Sequence, residues 1–393
     1  MASFKEIASY DVNLTCDCAE WLETEDNGTL ACATYQLDKE TQTRLGELRL
    51  YRFEENLSRD SGNNCDKAKL SLLAATDSSG VFDIKFSSLK RKMLASATAD
   101  GKCNIYTISS DIDPTLEAKG LQLTNKDSNA YSLSLDWNDR RGPQENTKVV
   151  VSRSDGYVSV VQIREEDLEI SEDFLAHKYP YMDAGAEVWI SAFDCWNGDI
   201  IYTGSDDAKL KMWDLKCGTS KPVFVNSTSH QAGVCSMQCS IHRENILVTG
   251  SYDNIIRIWD KRNLTKSLCS QTDAGGGVWR LKFHPQIDKH NLLLAACMRN
   301  GFRIYDIADR FGQTKDLDTE IGASVGSEEH NKCIGSFNNG FPKGGWETLG
   351  YGVDWITKGF STSVESSDTY YIAGASFYDH TLRLFEWEWQ KGA

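Results

Sequence analysis

Apolar and polar residues alternate with a period of two along most of this chain, in short runs separated by turns rich in Gly, Asp and Asn. Pairs such as Lys211 with Trp213 and Arg257 with Trp259 keep one face apolar and the other polar, the signature of strands rather than helices. Laid against itself, the chain shows a recurring unit: an alternating strand, a second strand ending in small residues, an Asp-containing turn, and a third strand ending in an aromatic. The clearest copies run over 187–215 and 233–261. In the first, Ile200-Ile-Tyr-Thr-Gly-Ser-Asp-Asp207 leads to Leu210-Lys-Met-Trp-Asp214; in the second, Ile246-Leu-Val-Thr-Gly-Ser-Tyr-Asp253 leads to Ile256-Arg-Ile-Trp-Asp260. Asp207 and Asp253 lie 46 positions apart, close to the ~40–45 residues of a four-stranded propeller blade.

Other copies keep the order in weaker form. Asp100 stands six residues before Tyr106, Asp155 six before Val161 and Asp379 six before Phe385. In the sixth copy, 277–307, Arg299 takes the Asp position ahead of Phe302-Arg-Ile-Tyr-Asp306. A first copy without the Asp spans about 14–53, with strands expected at 29–36 and 47–53. Seven copies in all predict one all-β domain over 1–393.

The Trp-Asp endings and Gly-Ser-x-Asp turns resemble the WD40 repeat family, and that resemblance implies a seven-bladed WD40 β-propeller. Radial closure of such a ring protects the strand edges that an open sheet exposes. The segment at about 308–349, rich in Gly, Ser and Asn, exceeds a blade connection and reads as an insertion loop before the last blade. Within it, 321–326 offers an outer strand for blade six, and 331–348 reads as a long loop; 178–185 is a second insertion, before blade four. The resemblance also implies a buried hydrogen-bonded set in each regular blade: His177, Thr203, Asp207 and Trp213 in blade four, and His230, Thr249, Asp253 and Trp259 in blade five. His330 and Asp379 take the same part in blade seven. These histidines are therefore structural.

Charge narrows the partners. With 42 Lys+Arg against 57 Asp+Glu the net charge is −15, which argues against nucleic-acid phosphates and favours cationic partners. The first ten residues carry Lys5 and Glu6 and no apolar core, so they make no secretory signal, and the longest apolar run, 292–298, is too short to span a membrane. Twelve Cys without framework spacing fit a reducing compartment. A soluble, cytoplasmic protein is expected, and its five N-glycosylation sequons, at Asn13, Asn27, Asn56, Asn226 and Asn263, read as chance.

Common catalytic motifs are missing: there is no Gly-x-Ser-x-Gly elbow, and Gly275-Gly276-Gly277 is not followed by Lys-Ser/Thr. Cys235-x3-Cys239-x2-His242 lies on a strand that carries its members toward opposite ends, and Cys16-x-Cys18 has no second pair, so both read as core thiols and no metal is expected. Propeller geometry places a different set around one channel mouth: Glu187, Trp189, Cys235, Trp279 and Asp354 from first strands, and Asp206, Tyr252, Tyr378 and Arg299 from turns. Rings and carboxylates together suit a cation, although Trp189 and Trp279 also suit packing between blades. Arg299 offers a rigid fork for a carboxylate or developing oxyanion.

A narrower resemblance lies in Gly275-Gly-Gly-Val-Trp-Arg-Leu-Lys-Phe-His-Pro285, Leu292-Leu-Leu-Ala-Ala-Cys-Met298 with Gly301-Phe-Arg-Ile304, and His242-Arg-Glu-Asn-Ile-Leu-Val-Thr-Gly-Ser-Tyr-Asp253. Gly233-Val-Cys-Ser236 and Tyr351-Gly-Val-Asp-Trp355 agree. These stretches resemble the diphthine methylesterase family of diphthamide-biosynthesis WD-repeat proteins. The resemblance implies hydrolysis of the methyl ester of methylated diphthine, a modified His on translation elongation factor two, to diphthine and methanol, with no cofactor. Diphthine carries a trimethylammonium group, which Trp189, Trp279 and Tyr252, with Asp206 and Tyr378 nearby, are expected to hold. Cleavage is open to two routes: attack by Cys235, or water activated by Glu187 or Asp354, with Arg299 or backbone N–H groups on the oxyanion. The alternative is a non-enzymatic adaptor, because Trp259-Asp-Lys-Arg262 resembles the box with which propellers dock to a cullin-four ubiquitin ligase.

Overall fold

The computed structural model describes residues 4–22, 28–55, 68–90, 92–110, 113–125, 129–164, 167–271, 274–307, 332–338, 341, 348–357 and 368–389. Seven antiparallel sheets follow one another along the chain. Their innermost strands are Cys16–Leu22, Val81–Phe86, Ser132–Trp137, Ile190–Asp194, Val234–Cys239, Arg280–Phe283 and Gly350–Ile356. Each contacts the innermost strand of the next blade, and Cys16–Leu22 also contacts Gly350–Ile356, so the ring is complete. It is the seven-bladed propeller that the repeat predicts.

Closure uses a strand that the repeat does not contain. Phe4–Asp11 pairs antiparallel with Thr381–Trp389, in register from Phe4↔Trp387 to Asp11↔Thr381, and becomes the outer strand of blade seven. The two ends of the chain thus share one sheet, which covers the edge of Thr381–Trp389 and ties blade seven to the start of blade one. Phe4 packs on Phe385 with ring centroids 5.2 Å apart.

Two departures from the sequence reading concern the outer strands. In blade six the outer strand is Lys332–Phe337, paired with Phe302–Asp306. The stretch 321–326, expected to form it, lies outside the described residues, and six of the residues in 331–348, read as loop, are strand because Ile334 and Phe337 join the core between blades six and seven. In blade one, Arg44–Glu55 and Ala68–Ser79 form a 12-residue ribbon longer than any strand expected there. The insertion at 178–185 is a small hairpin closed by a Lys178↔Gly185 bridge, its tip carrying Tyr181 and Met182 into solvent. Among the described residues no helix is long and apolar enough to cross a membrane.

Candidate functional site

The innermost strands share an irregularity that builds the site. Pairing shifts between Cys16 and Cys18, Val81 and Asp83, Ser132 and Ser134, Val234 and Ser236, and Gly350 and Val353. A bulge leaves one residue unpaired and re-aims it; here those residues are Asp17, Phe82, Leu133, Cys235 and the Tyr351-Gly352 pair. Trp189 and Trp279 hold the same level in blades four and six, each just ahead of its strand. In this tier Asp17 is the single carboxylate.

Aromatic rings at this level follow one another around the channel. Trp189 lies 5.9 Å from Trp279 and 6.1 Å from Tyr252, and Trp279 stacks on Tyr351 at 4.8 Å. The series continues through Phe377 at 4.6 Å, Tyr35 at 6.1 Å, Phe82 at 4.9 Å and Tyr131 at 5.9 Å. Met298, from the turn of blade six, packs among them with Leu349. Most of these rings are half-buried, so their faces are available to a guest. One already holds a cation, since the Arg44 guanidinium lies 4.4 Å from the Tyr131 centroid.

Beside Trp189 the collar turns acidic. Tyr179, from the 178–185 hairpin, donates from its hydroxyl to Glu187 Oε2 at 2.7 Å and to Asp206 Oδ2 at 2.9 Å, and the Trp189 indole N–H reaches Asp206 Oδ1 at 3.3 Å. Desolvation first, and then the two carboxylates, push the Tyr179 hydroxyl well above its usual range. Sequence reasoning found Glu187, Asp206 and Trp189 but missed the tyrosine that joins them. The signal was present in the hairpin's position immediately before blade four.

The remaining candidates separate. Tyr252 and Trp279 are in the collar, and Tyr378 is half exposed at its rim, edge-on to Phe377 at 5.0 Å. Cys235 is buried and donates to the Val278 carbonyl at 3.0 Å, and burial pushes its thiol far above the usual range. Burial therefore disfavours the thiolate that the covalent route needs. Asp354 is not at the mouth: it lies deeper, accepting from the Trp21 amide at 2.9 Å and from Lys282 Nζ at 3.2 Å. Its position in the strand runs past the bulge, so its side chain joins a lower tier. Arg299 is half-buried on the Met298–Gly301 turn, where Asn300 ties the turn to the Ala274 carbonyl at 2.7 Å and Met298 is the residue that faces the collar.

That lower tier is a ring of buried ion pairs. Lys282 binds Glu20 as well as Asp354; Arg280 reaches Asp83 at 3.2 Å, Lys85 reaches Asp83 at 3.1 Å, and Arg140 reaches Asp136 at 2.9 Å. Burial raises the carboxyls of Asp354 and Asp136, with Lys282 and Arg140 respectively opposing it; for Glu20 and Asp83 the neighbouring cations win and the carboxyls fall below their usual range. Charged residues at alternate positions of several inner strands were the unused sequence signal.

The histidine networks differ between blades. In blade four His177 bonds Asp207 at 2.9 Å and Thr203 at 2.8 Å, and Trp213 donates to Thr203 at 3.0 Å, as expected. In blade five His230 and Trp259 meet on Thr249, but Asp253 pairs with Arg257 at 2.8 Å and with the Gln231 amide, leaving His230 Nδ1 without a partner. Burial, with Arg257 second, lowers His230 to about 3. Asp379 pairs with Arg383 at 2.6 Å, and His330 lies outside the described residues. Among the described residues no group of three or more His, Cys, Asp or Glu is placed to hold a metal. Arg262 turns back on Asp260, Nη2 to Oδ2 at 2.7 Å, with its side chain 55% exposed.

Comparison with known proteins agrees with this architecture. Residues 221–260 match the family model described as WD domain, G-beta repeat. A mouse protein named diphthine methyltransferase is 34% identical over 80% of this chain and 66% of its own length. A human protein of the same name is 29% identical over 97% of this chain and 98% of its own, and a Dictyostelium discoideum homologue 28% identical over 95% and 97%. A chain in the crystal structure of a mitotic checkpoint complex superposes with a TM-score of 0.62 at 16% identity, covering all of this chain and 94% of that one, which speaks to the fold alone. With its seven blades and this near end-to-end similarity, the chain belongs to the WD-repeat family of diphthamide biosynthesis whose curated members are named diphthine methyltransferase.

Proposed function

We propose that this protein hydrolyses the methyl ester of methylated diphthine on translation elongation factor two, releasing diphthine and methanol. The observation that carries the reading is the half-buried aromatic collar with its acidic edge at Glu187 and Asp206. Diphthine presents a fixed positive charge on a trimethylammonium group, which cannot donate a hydrogen bond. Ring faces and nearby carboxylates are what water-poor protein can offer such a group, at about 0.5–2 kcal/mol per well-placed ring. The chain's excess of acid adds long-range attraction for a basic surface.

The relatives' name speaks of methyl transfer; on this reading the acyl carbon is transferred from methanol to water. Water adds to the ester carbonyl, the tetrahedral oxyanion collapses, and methoxide leaves with the proton that water gave up. The test incubates the purified chain with elongation factor two carrying methylated diphthine in H2(18)O, with no methyl donor, and follows the modified peptide by mass spectrometry. Loss of the ester methyl with one heavy oxygen gained is expected. An unchanged peptide, or methylation only when a methyl donor is added, overturns the reading and moves the protein toward substrate presentation, with Trp259–Arg262 as the edge for a cullin-four adaptor.

A further inference from the structure

We propose that Asp17 is the general base and acid of this ester cleavage, and that the hydroxyls of Tyr252 and Tyr351 stabilise its oxyanion. The inference rests on the methylesterase reading above and names the reacting groups of that site. Asp17 sits on the bulge between Cys16 and Cys18, out of the strand pairing and within electrostatic reach of Tyr351 and Tyr252 of the collar. The seam beside it is held close by Gly352: a Cβ there would stand 2.8 Å from the Asp17 carbonyl and 2.6 Å from the Ala19 amide. The Tyr351-Gly352 backbone therefore runs close against the Asp17–Ala19 backbone across the seam between blades one and seven.

Three features separate Asp17 from the other inner-strand carboxylates. It forms no salt bridge among the described residues, and its one hydrogen bond comes from Cys18 Sγ at 3.6 Å. Both phenols sense it: Asp17 is the foremost charged neighbour of Tyr351 and also acts on Tyr252. Among the described residues neither phenol oxygen has a hydrogen-bond partner, which leaves two donors unsatisfied within electrostatic reach of a carboxyl whose one hydrogen bond is the long one from Cys18.

The groups facing Asp17 are Arg280 and Asp83 from blades six and two, Cys18 on its own strand, and the two tyrosines. Burial raises the carboxyl to about 8; Arg280 opposes this and Asp83 adds to it. A base that titrates near the working pH combines a usable ionised fraction with a strong affinity for the proton. Burial keeps Tyr252 and Tyr351 protonated, so both donate. In the forward step the Asp17 carboxylate takes a proton from water as its oxygen bonds to the ester carbon, and the carbonyl electron pair moves to oxygen, held by the two phenols. On collapse the C–OCH3 bond breaks and Asp17 returns the proton to methoxide. The products are methanol and the diphthine carboxylate, with its proton passing to solvent.

The experiment compares wild type, Asp17→Asn and Tyr351→Phe on elongation factor two carrying methylated diphthine, measuring kcat and KM from pH 6 to 9.5. Wild-type kcat/KM should rise with pH through an apparent pKa near 8. Asp17→Asn should lose about 10²–10⁴-fold in kcat and lose the pH limb, with KM little changed, and Tyr351→Phe about 10²–10³-fold with the limb retained. Thermal melting confirms that each variant folds. If wild type cleaves and Asp17→Asn cleaves equally well with the same pH limb, this assignment falls while the methylesterase reading stands; if wild type is inert, the reading itself has failed.

Discussion

The two tiers of the central channel are built on the same seven strands and follow opposite electrostatic rules. In the lower tier every carboxylate meets a cation: Glu20 and Asp354 share Lys282, Asp83 takes Arg280 and Lys85, and Asp136 takes Arg140. In the upper tier Asp17 forms no salt bridge among the described residues, feels Arg280 only at longer range, and is the foremost charged neighbour of Tyr351. A buried charge that is compensated holds blades in register, because removing either partner strands the other. An uncompensated one is costly and persists where it does chemistry. The contrast therefore sorts eight buried acids and bases into scaffold and leaves Asp17 as the one proposed for mechanism, which no count of acidic residues does.

The comparison is broken most severely in the lower tier. Lys282→Met leaves Glu20 and Asp354 without their shared cation, and should cost about 3–5 kcal/mol in denaturant unfolding; adding Glu20→Gln to it should recover part of that loss. A loss below about 1 kcal/mol for the single variant would mean that the ion ring is not structural. In the upper tier, Trp279→Ala removes the ring shared by Trp189, Tyr252 and Tyr351. It should raise KM for the methylated factor by roughly 10-fold, the equivalent of about 1–2 kcal/mol of cation–π attraction, with kcat less affected. An unchanged KM would remove the cation from the collar.

The third prediction is read in the sign of its pH dependence. Because folding raises the Asp17 carboxyl from 3.8 to about 8, its contribution to stability is fully present below pH 3.8 and is lost as pH rises through 8. Asp17→Asn removes that loss, so its melting temperature should exceed wild type by more at pH 8 than at pH 5. His230 runs the other way: lowered to about 3, it stabilises above pH 6.5 and loses that contribution as pH falls. A variant as unstable at pH 8 as wild type would place Asp17 among the compensated acids.

Blades four and five were legible because their Gly-Ser-x-Asp turns and Trp-Asp endings repeat residue by residue. The outer strand of blade six was not, since Lys332–Phe337 sits in a Gly-rich run whose apolar members, Ile334 and Phe337, find their partners only on blade seven. At the site, Trp189, Trp279, Tyr252, Asp206 and Glu187 followed from repeat position. Cys235 also did, but whether a thiol at that position ionises depends on burial. Asp354 failed for a similar reason: one strand position decides between the collar and Lys282.

The sequence by itself determined the ring, its seven blades, and the aromatic and acidic character of one mouth, because these depend on period and residue type repeated locally. Tertiary structure alone decided how Phe4–Asp11 closes the ring, which acids meet cations, and that a bulge holds Asp17 out of the strand pairing, within electrostatic reach of Tyr252 and Tyr351. Those outcomes turn on pairs hundreds of residues apart and on one-residue shifts in register, and no local pattern encodes either.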